Sequence, residues 1–167
     1  MIYKYSKFNT RLAVFFVFFV LIIIGSVNYQ IYALASFFPL LTVMATFYFG
    51  VFCPDLLPKF MVFFIGIFQD ILYGTPIGIT SFLLLIYWGI IVSQRKFLVK
   101  EQFMVVWLLF ILSLFLYMIL SLVAHSVYYM GFMFSDAIIM QFVISALIYP
   151  IAHKFFNAIH MFYISKV

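Results

Sequence analysis

Charged side chains are scarce in this chain. Lysine, arginine, aspartate and glutamate together make up 8% of its 167 residues, whereas hydrophobic residues make up 69%. An ordinary soluble domain has about 25% charged residues and about 45–50% apolar ones. A chain of this length cannot hide so much apolar surface from water. The composition therefore excludes a water-soluble fold and predicts an integral membrane protein.

Cysteine and acidic residues are also rare. Cys53 is the only cysteine, which excludes an internal disulfide. The four acidic residues, Asp55, Asp70, Glu101 and Asp136, offer no convincing acid/base pair, and the three histidines lack the spacing of a zinc site. The sequence has no nucleophile elbow, P-loop or dinucleotide-binding fingerprint. We therefore expect no catalytic residue, no metal and no cofactor, and predict that the protein is not an enzyme.

Six apolar runs fill most of the chain. They cover residues 12–28, 31–52, 60–73, 77–93, 103–129 and about 137–159. A helix needs about 20 residues to cross a bilayer, so the third and fourth runs are short, and a Gly74-Thr75-Pro76 turn joins them. The first run lacks a signal-peptidase motif and is expected to stay uncleaved. We predict an all-α integral membrane fold with about six transmembrane helices in a single polytopic domain, residues 1–167.

The basic residues predict the orientation of these helices. With six spans, all nine lysines and arginines fall on one side of the membrane, and the opposite loops, around residues 28–31, 74–76 and 130–136, contain none. The positive-inside rule then places both termini in the cytoplasm. This placement also explains the net charge of +5 better than nucleic-acid binding does. Tyrosine and tryptophan residues near the span ends, Trp88 and Trp107 among them, are interpreted mostly as interfacial anchors.

The most distinctive stretch is FFIGIFQDILYGTPIGI, residues 63–79. Gly66 and Asp70 share one helix face, and small residues at this spacing let another helix approach closely. An ionised aspartate facing lipid would cost about 2.5–3.5 kcal/mol, so Asp70 should face protein or a polar cavity. One interpretation is a partner- or ligand-facing site. The other is an acid that bonds to the turn, with donors from the backbone, Thr75 or His125, in which case Asp70→Asn should be mild.

A longer segment carries a resemblance to a known family. Residues 53–82, CPDLLPKFMVFFIGIFQDILYGTPIGITSF, resemble the hallmark stretch of the bacterial rod shape-determining protein MreD family. That stretch has a proline-bounded turn, a helix ending in G-x-x-x-D and a G-x-P-x-G turn. The matching residues here are Pro54, Pro58, Gly66, Asp70, Gly74, Pro76 and Gly78. Pro39 and the SALIYP sequence ending at Pro150 fit the family more weakly.

The resemblance implies a non-enzymatic subunit of the cell-elongation complex in the bacterial inner membrane, which scaffolds peptidoglycan synthesis and regulates cell shape. It implies MreC as a partner and, through the complex, MreB, RodA and its partner transpeptidase, besides membrane lipid. It also implies that the Gly66-to-Gly78 motif faces a partner or ligand. The four prolines outside that motif, Pro39, Pro54, Pro58 and Pro150, are then structural.

A second function stays open at this point. The MreD family is similar in fold to the substrate-binding subunits of energy-coupling-factor vitamin transporters, which also have six helices. Those subunits typically carry an Ala-x-x-x-Ala pattern on the first helix to dock their transport module. The first run here, LAVFFVFFVLIIIG, has bulky residues instead, which disfavours the transporter.

Overall fold

The computed structural model describes residues 2–29, 38–131 and 136–164. These residues form six α-helices and no strand, which confirms the all-helical prediction. The helices are α1 (Ile2–Tyr29), α2 (Leu41–Phe52), α3 (Lys59–Tyr73), α4 (Ile79–Leu98), α5 (Phe103–Tyr128) and α6 (Asp136–Ile164).

Helix α2 forms the centre of the bundle. Every residue from Thr42 to Val51 is buried, as expected of a helix that is apolar on all sides. Helix α2 packs against α1, α4 and α6, α5 packs against α4 and α6, and α3 packs against α1 and α4. Large apolar side chains such as Leu108, Leu112 and Ile151 point away from this core and suit a lipid surround.

Among the residues that the structure describes, three helical segments are long and apolar enough to cross a membrane: Ile79–Leu98, Phe103–Tyr128 and Ala137–Met161. Helices α2 and α3 have 12 and 15 residues, or roughly 18 and 22 Å at 1.5 Å per residue. Both are shorter than the bilayer's hydrocarbon core of about 30 Å. A topology of six complete spans with both termini in the cytoplasm stays a prediction.

The second helix begins later than the sequence predicted. The apolar run at 31–52 placed Pro39 inside a span, but α2 starts at Leu41, after Pro39, and residues 30–37 lie outside the described part of the chain. Proline has no backbone N–H, so a helix that continued back through Pro39 would lose a hydrogen bond there. The backbone N–H just before the helix has a partner on α6, because Leu40 N–H donates to Ser145 Oγ at 2.9 Å.

The fourth helix is longer than predicted. It was expected to end at residue 93, yet it continues through Arg95 and Lys96 to Leu98, giving 20 residues rather than a short span. Basic side chains in the last turn are favoured by the negative end of the helix dipole. Only α3 of this pair is short. Helix α1 likewise starts well before the first apolar run and includes its basic flank.

The connection between α2 and α3 is a proline-bounded turn. Leu57 N–H donates to the Pro54 carbonyl at 3.2 Å, and the fully buried Leu57 side chain anchors the turn in the core. Pro58 is the N-cap residue of α3. Arg11 Nε donates to the Asp55 carbonyl at 2.9 Å, so this turn is also fastened to α1.

Pro150 lies inside α6 and is compensated from α5. A proline at this position leaves the carbonyl of Ala146 without its usual helical donor. Trp107 Nε1 donates to that carbonyl at 2.9 Å, which joins the two helices. Trp107 therefore has a specific partner within the bundle. The anchor interpretation was wrong for Trp88, which is buried and has Lys59 Nζ 5.9 Å from its ring centroid.

Candidate functional site

Gly66 sets the distance between α3 and α4. A Cβ atom built on Gly66 would lie 2.3 Å from Ser81 Cα and 2.6 Å from Ser81 N, well inside any permitted contact. The contacted atoms belong to the backbone of α4 and cannot swing aside. Ser81 Oγ adds a hydrogen bond to the Phe63 carbonyl at 3.2 Å. Gly66 thus allows α4 of the same chain to pack closely against α3.

The end of α3 is closed by a left-handed glycine. Gly74 has φ 68° and its N–H donates to the Asp70 carbonyl. Thr75 N–H donates to the same carbonyl at 3.1 Å, in the manner of a Schellman-type helix end. A Cβ on Gly74 would meet open space, so glycine is needed here for its positive φ and not for lack of room.

The Asp70 carboxylate is buried and accepts three hydrogen bonds. Oδ1 accepts from Thr75 Oγ1 at 2.9 Å and from Thr80 N at 3.3 Å, and Oδ2 accepts from Gly78 N at 2.8 Å. Gly78 and Thr80 lie at the start of α4, where backbone N–H groups lack helical acceptors. Asp70 therefore caps α4 from the end of α3, and its charge suits the positive end of that helix.

These contacts are internal, but the connection they hold is partly exposed. We call residues 74–78 the α3–α4 corner. Ile77 is its most accessible side chain, at 72% exposed, while Pro76 is half-buried and its carbonyl accepts from Ile79 N–H. Of the five motif residues, Gly66 and Asp70 thus touch their own chain. A partner- or ligand-facing role for the motif stays a prediction.

A cavity of about 290 Å³ lies beside this corner. Residues from all six helices and from the segment before α2 line it. Both Gln69 and His125 face it, but His125 does not reach Asp70: His125 Nδ1 donates to the Ser121 carbonyl at 2.8 Å. The donors for Asp70 come instead from Thr75 and the backbone. The arrangement offers hydrogen bonding to a small ligand.

The two histidines of α6 lie beside one buried aromatic ring. His153 and His160 both pack against the ring of Tyr48, with centroids 5.2 and 6.4 Å away. Tyr48 OH donates to Asn157 Oδ1 at 3.2 Å. Within the described residues, no group of three or more His, Cys, Asp or Glu side chains could hold a metal ion.

Sequence reasoning missed Gln69 as a candidate site residue. It is 8% exposed, lines the cavity, and its Oε1 has no hydrogen-bond partner among the described residues. Its signal was present, since Gln69 and Asp70 are adjacent polar residues within an apolar run. Tyr117 was missed as well. It also lines the cavity, close enough to Asp70 and Tyr73 to interact electrostatically.

The fold and the corner define a class of protein: an all-helical membrane protein whose short third helix is locked to the fourth by a buried aspartate. Comparison with protein-family models makes this specific, because residues 6–159 match the model of the rod shape-determining protein MreD. The chain belongs to the MreD family, as its motif suggested. No curated protein and no solved structure gave a match.

Proposed function

We propose that this protein is a non-enzymatic scaffold of the cell-elongation complex in the bacterial inner membrane, where it supports peptidoglycan synthesis. The observation that carries the proposal is the family match over residues 6–159, since the family consists of rod shape-determining membrane proteins. MreC is the proposed direct partner. MreB, RodA and its partner transpeptidase are reached through the complex.

The short connections between the helices support a scaffold role. Within the described residues, the connections between α2 and α3, α3 and α4, and α4 and α5 are only four to six residues long. Such connections are too small to form a separate folded domain. In this part of the chain, a partner would meet the helices or their short connections. With the basic residues on one face, we propose that both termini are cytoplasmic.

The exposed face of α1 argues against the transporter alternative. Leu12, Phe16 and Val20 lie four residues apart on this face, and all three are exposed. Docking through an Ala-x-x-x-Ala pattern needs small side chains that let helices approach closely. Bulky side chains at this spacing keep a second helix away, and the family match does not favour uptake of a vitamin.

For the family motif we propose a divided role. Gly66 and Asp70 fix the corner from inside, and the corner presents Ile77 to a partner. The most accessible apolar side chain of the motif region is then held on a rigid support, as binding sites require. A face elsewhere on the bundle, such as that of Ile151 on α6, offers an equally exposed apolar side chain for comparison.

The experiment is affinity purification of the full chain from membranes, with a photocrosslinking residue at position 77 and, as a matched control, at position 151. We expect MreC to co-purify and to crosslink from position 77 more strongly than from position 151. Purification without any elongation protein would contradict the scaffold role. If MreC crosslinks from position 151 alone, the scaffold role stands, but the corner is not part of the interface with MreC.

A further inference from the structure

A buried polar atom beside the cavity has no hydrogen-bond donor in the part of the chain that the structure describes. The atom is Oε1 of Gln69, and Gln69 is one of the residues that line the cavity. Buried polar side-chain atoms nearly always have a partner, because desolvation without a hydrogen bond is costly. A donor from outside the protein would satisfy this oxygen. The orphaned atom and the cavity are separate observations that point to the same place.

The size and surface of the cavity suit a small amphiphilic group. Its volume, about 290 Å³, lies near the lower end of the range for ligand pockets, about 300–1,000 Å³. Leu21, Phe38 and Met118 supply apolar wall, while Gln69 and Ser121 supply polar wall. Mixed walls of this kind bind a ligand by apolar contact and orient it by a few hydrogen bonds.

The charge around the cavity disfavours an anionic ligand. No lysine or arginine lines it in the described part of the chain, and residues 30–37 and 132–135 contain none either. The buried Asp70 carboxylate accepts hydrogen bonds from Thr75 and Thr80, which are two of the lining residues. A phosphate or carboxylate here would have no lysine or arginine to pair with, and the lining His125 already donates its Nδ1 hydrogen to the Ser121 carbonyl. Burying an unpaired charge is strongly unfavourable.

We propose that this cavity binds an uncharged amphiphile whose hydroxyl or amide N–H donates to Gln69 Oε1. Its hydrocarbon part then packs on the apolar wall formed by Leu21, Phe38 and Met118. This goes beyond the scaffold role and does not depend on it. An acylglycerol from the bilayer has this chemistry, because its glycerol end supplies hydroxyls and its acyl chain supplies hydrocarbon. A small polyol from the aqueous phase would supply the hydroxyl alone.

The test uses the purified full chain in detergent with 1-monooleoylglycerol that carries a photoactivatable group in its acyl chain. We expect labelling of the cavity wall around Met118. Competition by unlabelled 1-monooleoylglycerol, but not by glycerol, identifies the bilayer as the source. Competition by glycerol would identify a soluble polyol instead and overturn the amphiphile. Labelling restricted to outward-facing side chains such as Leu112 would overturn the proposal.

Variants separate binding from folding. Gln69→Leu should weaken labelling about five-fold, the loss expected for one neutral hydrogen bond, without lowering thermal stability, because leucine has a similar volume and no unsatisfied oxygen. Gln94→Leu, at an exposed glutamine on α4, is the matched control and should not change labelling. Ser121→Phe fills the cavity and should abolish it. Unchanged labelling in both cavity variants would mean that the cavity holds only water. If Gln69→Leu does not fold, the labelling of Ser121→Phe alone decides whether the ligand binds in the cavity.

Discussion

Replacing Asp70 with asparagine should destabilise the protein by about 1–3 kcal/mol, the cost of one buried donor left unsatisfied. Both carboxylate oxygens are in use: Oδ1 accepts from Thr75 and Thr80, and Oδ2 accepts from Gly78. Asparagine has a single oxygen. If it replaces Oδ1, the amide NH₂ faces the Gly78 N–H, donor against donor. Loss of the charge at the start of α4 adds about 0.3–1 kcal/mol.

Alanine at position 70 should be worse, because it removes every acceptor. The N–H groups of Gly78 and Thr80 then have no partner, and two such donors cost roughly 2–6 kcal/mol. Thr75→Val removes only the hydroxyl bond to Asp70 and should cost about 1 kcal/mol. The variants should therefore rank, from mildest to most severe, as Thr75→Val, Asp70→Asn and Asp70→Ala.

The assay is thermal unfolding of the detergent-purified full chain, followed by the fraction that stays monodisperse after heating. One kcal/mol corresponds to about 2–4 °C for a domain of this size, so Asp70→Asn should lower the midpoint by several degrees. Asp55→Asn, in the exposed α2–α3 turn, is the matched control and should unfold like the wild type. If Asp70→Asn also unfolds at the wild-type temperature, the two-oxygen cap is refuted.

Three further predictions use the same purified protein. Gly66→Ala should cost about 1–3 kcal/mol or more, as overpacking does, because its Cβ meets the backbone of α4; wild-type thermal stability would contradict this close approach. Trp107→Phe should cost about 1 kcal/mol, because it leaves the Ala146 carbonyl without its donor. In a Pro150→Ala background the loss should be smaller, because alanine restores the helical N–H donor to that carbonyl. Equal losses from Trp107→Phe with Pro150 and with Ala at position 150 would show that the Trp107 bond does not compensate for the proline. Burial raises the pKa of Cys53 to about 12, so its thiol should resist maleimide at pH 8 until the protein is denatured, and rapid labelling of the native protein would contradict its burial.

Patterns along the chain were enough to predict the helical architecture. Apolar runs bounded by polar breaks depend on local composition, so α3 and α5 appear within two residues of their expected ends. The limits of α2 and α4 were harder to predict. The start of α2 depends on Pro39 and on the hydroxyl of Ser145, which is distant in sequence. The end of α4 lies beyond the end of its apolar run.

The chemistry of the corner could be predicted only in outline. The four-residue spacing of Gly66 and Asp70 correctly indicated that they share a face and that Asp70 is buried. The spacing could not show that both oxygens of Asp70 accept hydrogen bonds. Because both do, we now expect Asp70→Asn to lower stability, whereas the sequence predicted a mild effect for an acid that caps the turn. Gln69 was missed because an unsatisfied oxygen is a property of the assembled bundle.

The central claim is that this protein determines rod shape without catalysing wall synthesis. Its most direct test is depletion in a rod-shaped bacterium that carries it, with cell shape followed by microscopy and glycan polymerisation measured in isolated membranes. We expect round cells whose membranes retain polymerase activity. Rod-shaped growth after complete depletion would contradict the claim.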